Sequence, residues 1–248
     1  MKTSYKLLVL ALIILFGSTA AYDVALRKAY LKWDKKRPYE SYDNLNFKNF
    51  DRIEITAANI VSTMITQGPY FKVRLHNSIP EAKIEQKGRT LVITFESNSS
   101  VFHANHSNAL LIECPSLKEI KTNAIFTING EVMTVKHARS SKYSGGQVSV
   151  RGFEQDSLSL VMDNYTSLYF KENKFGFLNA NLGSSDSSRS TIYIDNSNQI
   201  ESADLNLQNN SAMNLKNIFI ENFKYKLSDS AQVSLSGISL RLLSNNNK

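Results

Sequence analysis

Ser157-Leu-Ser-Leu160-Val-Met-Asp163-Asn-Tyr-Thr-Ser-Leu168-Tyr-Phe170 opens a stretch that runs to Leu243 and repeats one pattern. Each copy holds an apolar-x-apolar pair, a polar knot of Asp, Asn and Ser, and a second apolar-x-apolar pair. The next copies are Asn181-Leu182, Ser184-Ser-Asp-Ser-Ser188 and Ile192-Tyr-Ile194; then Leu205-Asn-Leu207, Asn209-Asn-Ser211 and Met213-Asn-Leu215. The last is Tyr225-Lys-Leu227, Ser228-Asp-Ser230 and Val233-Ser-Leu235. A weaker copy comes first: Val132-Met-Thr-Val135, the polar run Arg139 to Gly146, and Val148-Ser-Val150.

Taking Val135, Leu160, Leu182, Leu207 and Leu227 as anchors gives spacings of 25, 22, 25 and 20 residues. Self-similarity at this period marks a stacked-repeat fold. Alternation with period two inside each copy means strand, one face in and one face out. The Asn, Asp and Ser knots suit sharp turns, because short polar side chains bond the local backbone there. The expectation is an all-β chain: a right-handed parallel β-helix-like solenoid with short irregular coils, preceded by an N-terminal hydrophobic helix. An antiparallel sandwich built from hairpins is the competing architecture.

The chain has 248 residues, of which 42% are hydrophobic, so a sizeable core is expected rather than disorder. Four prolines and ten glycines argue against a flexible linker protein. The net charge of +7 permits an anionic partner, but outside one cluster the charges are dispersed. The single cysteine, Cys114, cannot form an internal disulfide. Between the apolar run Leu110-Leu-Ile112 and Pro115 it reads as a buried, inert strand-end thiol.

Lys2 and Lys6 precede an apolar segment from Leu7 to Leu26 with one charge, Asp23. Small residues at Gly17-Ser-Thr-Ala-Ala21 suit signal cleavage, while the length also suits an uncleaved transmembrane anchor. Residues 1–26 are therefore a signal peptide or an anchor. No cysteine follows the apolar run, which argues against a lipid-modified N-terminus. Arg27, Lys28, Lys32, Lys35, Lys36 and Arg37 would sit at membrane head groups in an exported protein. Residues 27–46 read as a basic polar linker, 47–243 as the β domain and 244–248 as a polar tail.

The β domain opens with Phe47-Lys-Asn-Phe50-Asp-Arg-Ile53-Glu-Ile55. Strands follow at Ile60 to Ile65 and Phe71 to Leu75, and a hairpin is expected around Lys87-Gly88. Further strands are expected at Leu110 to Ile112, Leu117 to Ile120 and Ile125 to Ile128.

Phe50-Asp-Arg-Ile-Glu-Ile55, then Asn59 to Gly68 ending in Gln67-Gly68, then Phe71-Lys-Val-Arg-Leu75 resembles the opening of the putative auto-transporter adhesin, head GIN domain family of Bacteroidetes. Leu91-Val-Ile93 and Cys114-Pro-Ser-Leu117-Lys-Glu-Ile120 resemble its next two strands. The likeness spans roughly residues 47–243. In place of the family's Gly-Ser-Gly knots stand Asp163-Asn164, Ser185-Asp186, Asn209-Asn210 and Ser228-Asp229. The resemblance implies a right-handed β-helix-like domain exported to the cell envelope. It implies no catalytic residue.

The residues themselves carry little catalytic signal. There is no Gly-x-Ser-x-Gly, no Gly-x4-Gly-Lys-Ser/Thr and no His-Glu-x-x-His. His103-Ala-Asn-His106 has a spacing zinc accepts, with Cys114 further on, but a second cysteine or third histidine is missing nearby. The other histidines are His76 and His137. The acids Asp163, Asp186, Asp195, Asp204 and Asp229 read as turn residues. If stacked, they would form a carboxylate ladder for calcium or, with Arg151, Lys171 or Arg189, a lyase centre. Among Tyr143, Phe153, Tyr165, Tyr169, Phe170, Tyr193, Phe219, Phe223 and Tyr225, those facing outward would stack on sugar rings.

No catalytic, cofactor or metal residue is assigned. The functional expectation is a non-catalytic, exported surface-contact module for glycan or an envelope protein, held to the membrane through residues 7–26, without nucleic acid. A polysaccharide lyase or hydrolase, or an envelope scaffold or signalling accessory, is the alternative.

Overall fold

The computed structural model describes residues 3–32, 39–99, 108–134, 145–185 and 188–242. The chain divides into two compact units, Met1–Ser41 and Tyr42–Lys248. The first holds helix α1, Thr3–Lys32. Its Tyr5–Lys28 part has a mean hydropathy of 2.1 over its most apolar window. At 1.5 Å per residue such a segment exceeds the ~30 Å of a bilayer's hydrocarbon.

The second unit is built from two large sheets. The nine-stranded sheet takes β1 (Tyr42–Leu45), β3 (Thr63–Gln67), β4 (Lys72–His76), β7 (Leu110–Cys114), β11 (Val148–Arg151), β13 (Ser167–Lys171), β15 (Thr191–Asp195), β17 (Ala212–Lys216) and β19 (Gln232–Ser236). The ten-stranded sheet takes β2 (Arg52–Ile55), β5 (Ala82–Lys87), β6 (Thr90–Ser97), β8 (Glu119–Thr122), β9 (Phe126–Ile128), β10 (Glu131–Met133), β12 (Glu154–Met162), β14 (Lys174–Leu182), β16 (Gln199–Leu207) and β18 (Asn222–Leu227).

From Val148 onward the chain alternates between the sheets, and each strand pairs in parallel with the strand two positions along. The copies therefore do not zip together antiparallel in this part. Before residue 134 the pairing is different. β1–β4, β4–β7, β5–β6 and β9–β10 are antiparallel, so both sheets are mixed, and neither closes. This corrects the expectation of irregular coils throughout 47–243.

Local chemistry explains the difference. The β5–β6 hairpin turns at Gly88, whose φ is +61°, and falls where Lys87-Gly88 placed it. The β9–β10 hairpin turns on Asn129 and Gly130, with φ of +51° and +78°. A two-residue hairpin turn of this kind needs positive φ at both positions, and Asn-Gly meets that need. Tyr42–Leu45, read as linker, instead forms β1 along β4. The strand expected at Ile60–Ile65 begins later, at Thr63, because residues 57–61 make a buried turn closed by Ile60 N and Val61 N onto Ala57 O.

The core is a set of stacked rows. Val150, Phe170, Ile194, Leu215 and Leu235 lie in register in one sheet. Met162, Leu182, Leu207 and Leu227 do so in the other. Leu182 thus aligns with Met162, and Leu160 belongs to the row of Ala180 and Leu205. The true spacings are 20, 25 and 20 residues, which corrects the anchor chosen in the first full copy. Val135 lies outside the described residues. Nearly all these side chains are fully buried. In the last coil, however, Leu227 is 39% and Tyr225 41% exposed, with no described rung above them.

Buried polar groups are threaded through the same stack. Asn173 Nδ2 donates to Val150 O and its Oδ1 accepts from Phe153 N. Asn198, one coil on, donates from Nδ2 to Phe170 O, and its Oδ1 accepts from Asn173 N and Nδ2. The ladder satisfies corner backbone groups that burial would otherwise leave unpaired at a cost of about 1–3 kcal/mol each. Thr122, Thr166 and Ser190 form a second ladder of hydroxyls, with contacts of 3.0 and 3.2 Å.

Candidate functional site

Alternation within β13, β15, β17 and β19 decides what the nine-stranded sheet shows to solvent. Leu168 and Phe170 are buried, which turns Ser167, Tyr169 and Lys171 outward. The same logic turns out Tyr193, Asn214 and Ser234 at the matching position. Parallel register places Tyr169 beside Tyr193, Tyr193 beside Asn214 and Asn214 beside Ser234. Two residues further along each strand, Lys171, Asp195, Lys216 and Ser236 form an adjacent row.

The two tyrosine rings stack with centroids 4.5 Å apart and planes 6° from parallel. The distance is close to the spacing between neighbouring strands, so the ring planes stand across the strand-to-strand direction. Asn214 and Ser234 are too short to continue the stack. A depression of about 440 Å³ opens there, lined by Tyr169, Tyr193, Asn214, Ser234 and the Lys171-Asp195-Lys216 row. That volume lies within the range of small-molecule sites.

Partial burial, with Tyr193 alongside, raises the pKa of the Tyr169 phenol, so that phenol is neutral at physiological pH. Asp195 is held below the usual carboxylate range, first by the Ser197 hydroxyl. That hydroxyl lies at 2.5 Å from Oδ1, and the Ser197 amide at 3.0 Å. Lys171 and Lys216 add to the effect. Among the described residues neither lysine has an ion pair within 4.0 Å, whereas nearby Arg151 pairs with Glu172 and Lys174 with Glu154.

Among the described residues the acids expected at turns do not stack. Asp163 follows β12 and is buried, accepting from Ser184 Oγ at 2.5 Å and Ser185 N at 2.9 Å. Asp195 ends β15. Asp204 lies mid-strand in β16 between Asn179 and Lys224, which corrects its reading as a turn residue. Asp229 is exposed at the last turn, and Asp186 lies outside the described residues. Among the described residues no three His, Cys, Asp or Glu side chains come together. Arg151 and Lys171 share a register row with Asp195, but Arg189 lies at the opposite end of β15.

His103, His106, His137 and Tyr143 also lie outside the described residues. His76 ends β4, its Nδ1 2.6 Å from Ser78 Oγ. Cys114 is buried at the end of β7, and burial pushes its thiol pKa up to about 12. At that value it is no nucleophile at neutral pH. Of the aromatics, Phe153, Phe170 and Phe223 are core, and Tyr169, Tyr193 and Phe219 face outward. Asn214 and Ser234 were not singled out from sequence. Setting the copies in register would have shown Tyr, Tyr, Asn and Ser in one column.

No family model and no curated protein matches this sequence. Solved structures do resemble it. A protein from Parabacteroides distasonis ATCC 8503, described as a "putative adhesin", superposes with a TM-score of 0.52 at 12% identity. The match covers 79% of this chain and 73% of that one. A "putative adhesin" from Bacteroides fragilis NCTC 9343 gives 0.41 at 12% identity, over 78% of this chain and 95% of that one. Another, from Parabacteroides merdae ATCC 43184, gives 0.33 at 10% identity, over 79% and 96%. The first shares the fold of this chain: a mostly-β domain of two large sheets.

Proposed function

We propose that this chain is a non-catalytic binding module exported to the cell envelope, which contacts carbohydrate through the outer face of its nine-stranded sheet. The stacked Tyr169–Tyr193 pair, ending in an open depression with amide, hydroxyl and charged groups around it, carries this reading. Aromatic faces bind the C–H side of sugar rings, and polar neighbours take the hydroxyls.

In this reading the domain is of the head GIN adhesin type, and its parallel part from Val148 onward is a right-handed solenoid. The alternating parallel strands and the stacked core rows support that. The name adhesin borne by the Parabacteroides distasonis protein is in keeping with surface contact. Helix α1 serves as export signal or membrane anchor, as its length and apolarity suggest.

A glycan-array screen of residues 42–248 tests the binding role. Reproducible carbohydrate binding that is lost in Tyr193→Ala is expected. An array without a single specific hit, from a domain with a cooperative melt, would overturn the proposal.

A further inference from the structure

Resting on the carbohydrate reading above, we infer that the depression beside Tyr193 is a slot for an acidic sugar residue, which extends the tyrosine stack by one more ring. The argument begins with register. Successive rungs of a parallel sheet lie about 4.8 Å apart. Tyr169 and Tyr193 occupy two adjacent rungs and stack face to face. The free face of Tyr193 therefore looks along the sheet, over the rungs of Asn214 and Ser234. Two rungs of short side chains leave a gap about 10 Å long. A pyranose ring placed there lies flat against Tyr193, at the separation Tyr193 keeps from Tyr169. The Asn214 amide and Ser234 hydroxyl lie beneath it as donors and acceptors for ring hydroxyls.

The charge of the flanking row selects the class of sugar. Lys171, Asp195 and Lys216 sit on three consecutive strands along one edge of the slot. Among the described residues neither ammonium group has an ion pair within 4.0 Å, and the single carboxylate is already bonded to Ser197. A uronate or sialate carboxylate, or a sulfate ester, supplies the missing anion. Asp195 beside the lysines disfavours a phosphate backbone and gives an acceptor for sugar hydroxyls. The combination fits one anionic group on a hydroxyl-rich ring better than a nucleic-acid strand.

The experiment uses the full chain in detergent micelles. It is titrated calorimetrically with uronate, sialylated and sulfated oligosaccharides, each beside its neutral counterpart, and with oligothymidylate. At least one acidic sugar is expected to bind about tenfold tighter than its neutral match at low salt, the margin shrinking as salt rises. Asn214→Tyr, which fills the slot, is expected to abolish that binding without changing the melting curve. The double variant Lys171→Gln with Lys216→Gln is expected to bring the acidic sugar down to the neutral one's affinity. Because a bulky variant can misfold, Tyr193→Ala serves as a second way to remove the slot wall. Acidic and neutral sugars bound alike would overturn the acidic assignment and leave the carbohydrate reading standing. Undiminished binding in folded Asn214→Tyr would overturn the slot. Preference for oligothymidylate would overturn the inference in favour of nucleic acid. No binding of any sugar, together with an empty array, would sink the reading beneath it.

Discussion

Asp51 is a buried carboxylate held by two cationic side chains. Its side chain is 3% exposed and accepts from Arg89 Nη2 at 2.7 Å and Nε at 3.1 Å, with Lys118 Nζ at 3.4 Å. Its backbone carbonyl also accepts from Lys118 N at 2.7 Å. One residue thus joins the start of β2, the β5–β6 hairpin and the lead into β8. The Arg89 hydrogen bonds hold its carboxyl below the usual carboxylate range. A depressed folded pKa stabilises the protein above the unfolded value near 4, and that contribution is lost as pH falls through the folded value. Arg89 and Lys118 are mostly solvated, which screens the pair. Asp51→Asn is therefore expected to cost about 1–2 kcal/mol at pH 7 and progressively less in acid. Urea midpoints at pH 7 and pH 3 check this, and an equal loss at both would contradict it.

At the scale of the element, the corners decide how well the parallel strands stack. The residue directly after β11, β13, β17 and β19 is Gly152, Glu172, Asn217 and Gly237, with φ of +73°, +57°, +55° and +64°. These corners need the left-handed region, which glycine adopts freely, asparagine tolerates and glutamate resists by about 1–2 kcal/mol. The corner after β15 is organised by Asp195 on Ser197 instead. At Glu172 the backbone amide donates to Ser197 Oγ and the carboxylate meets Arg151 at 3.2 Å on the surface. Such an exposed pair contributes little. Glu172→Gly is expected to raise stability by about 0.5 kcal/mol, the relief of strain less the added chain entropy. Chemical denaturation should show a higher midpoint with an unchanged slope, and a lower midpoint would show that the surface pair matters more than the strain.

For the whole molecule, the apolar helix and the β domain pose separate questions. Helix α1 runs past the small residues of Gly17 to Ala21 as far as Lys32. If it is an anchor, the full-length chain stays in the membrane pellet after alkaline carbonate extraction. If it is a signal, a shortened chain beginning near Tyr22 appears in the soluble exported fraction. Full-length protein in the soluble cytosolic fraction would exclude both. Within the β domain, the mixed and parallel regions share one continuous core. Phe50, Ile93 and Leu117 belong to the same buried cluster as Phe170, Leu205 and Leu215. The slot beside Tyr193 therefore rides on a scaffold whose rungs are set by that core.

The sequence by itself determined the β character, the inward and outward faces and the polar corners, because these follow from alternation and short-range turn chemistry. Leu168, Phe170, Ile192 and Ile194 stand in apolar pairs and are core; a hairpin was expected around Lys87-Gly88, and the β5–β6 turn falls at Gly88-Arg89. Asn129-Gly130, which closes the β9–β10 hairpin, was not singled out from sequence. Only the tertiary structure decided that Met162 rather than Leu160 aligns with Leu182, that Asp204 leaves the turns, and that Tyr169, Tyr193, Asn214 and Ser234 form one column. Register depends on hydrogen bonds between segments 20 to 25 residues apart in corners of unequal length. Local pattern tells each side chain which face it takes, but only cross-strand pairing tells it which neighbour it meets.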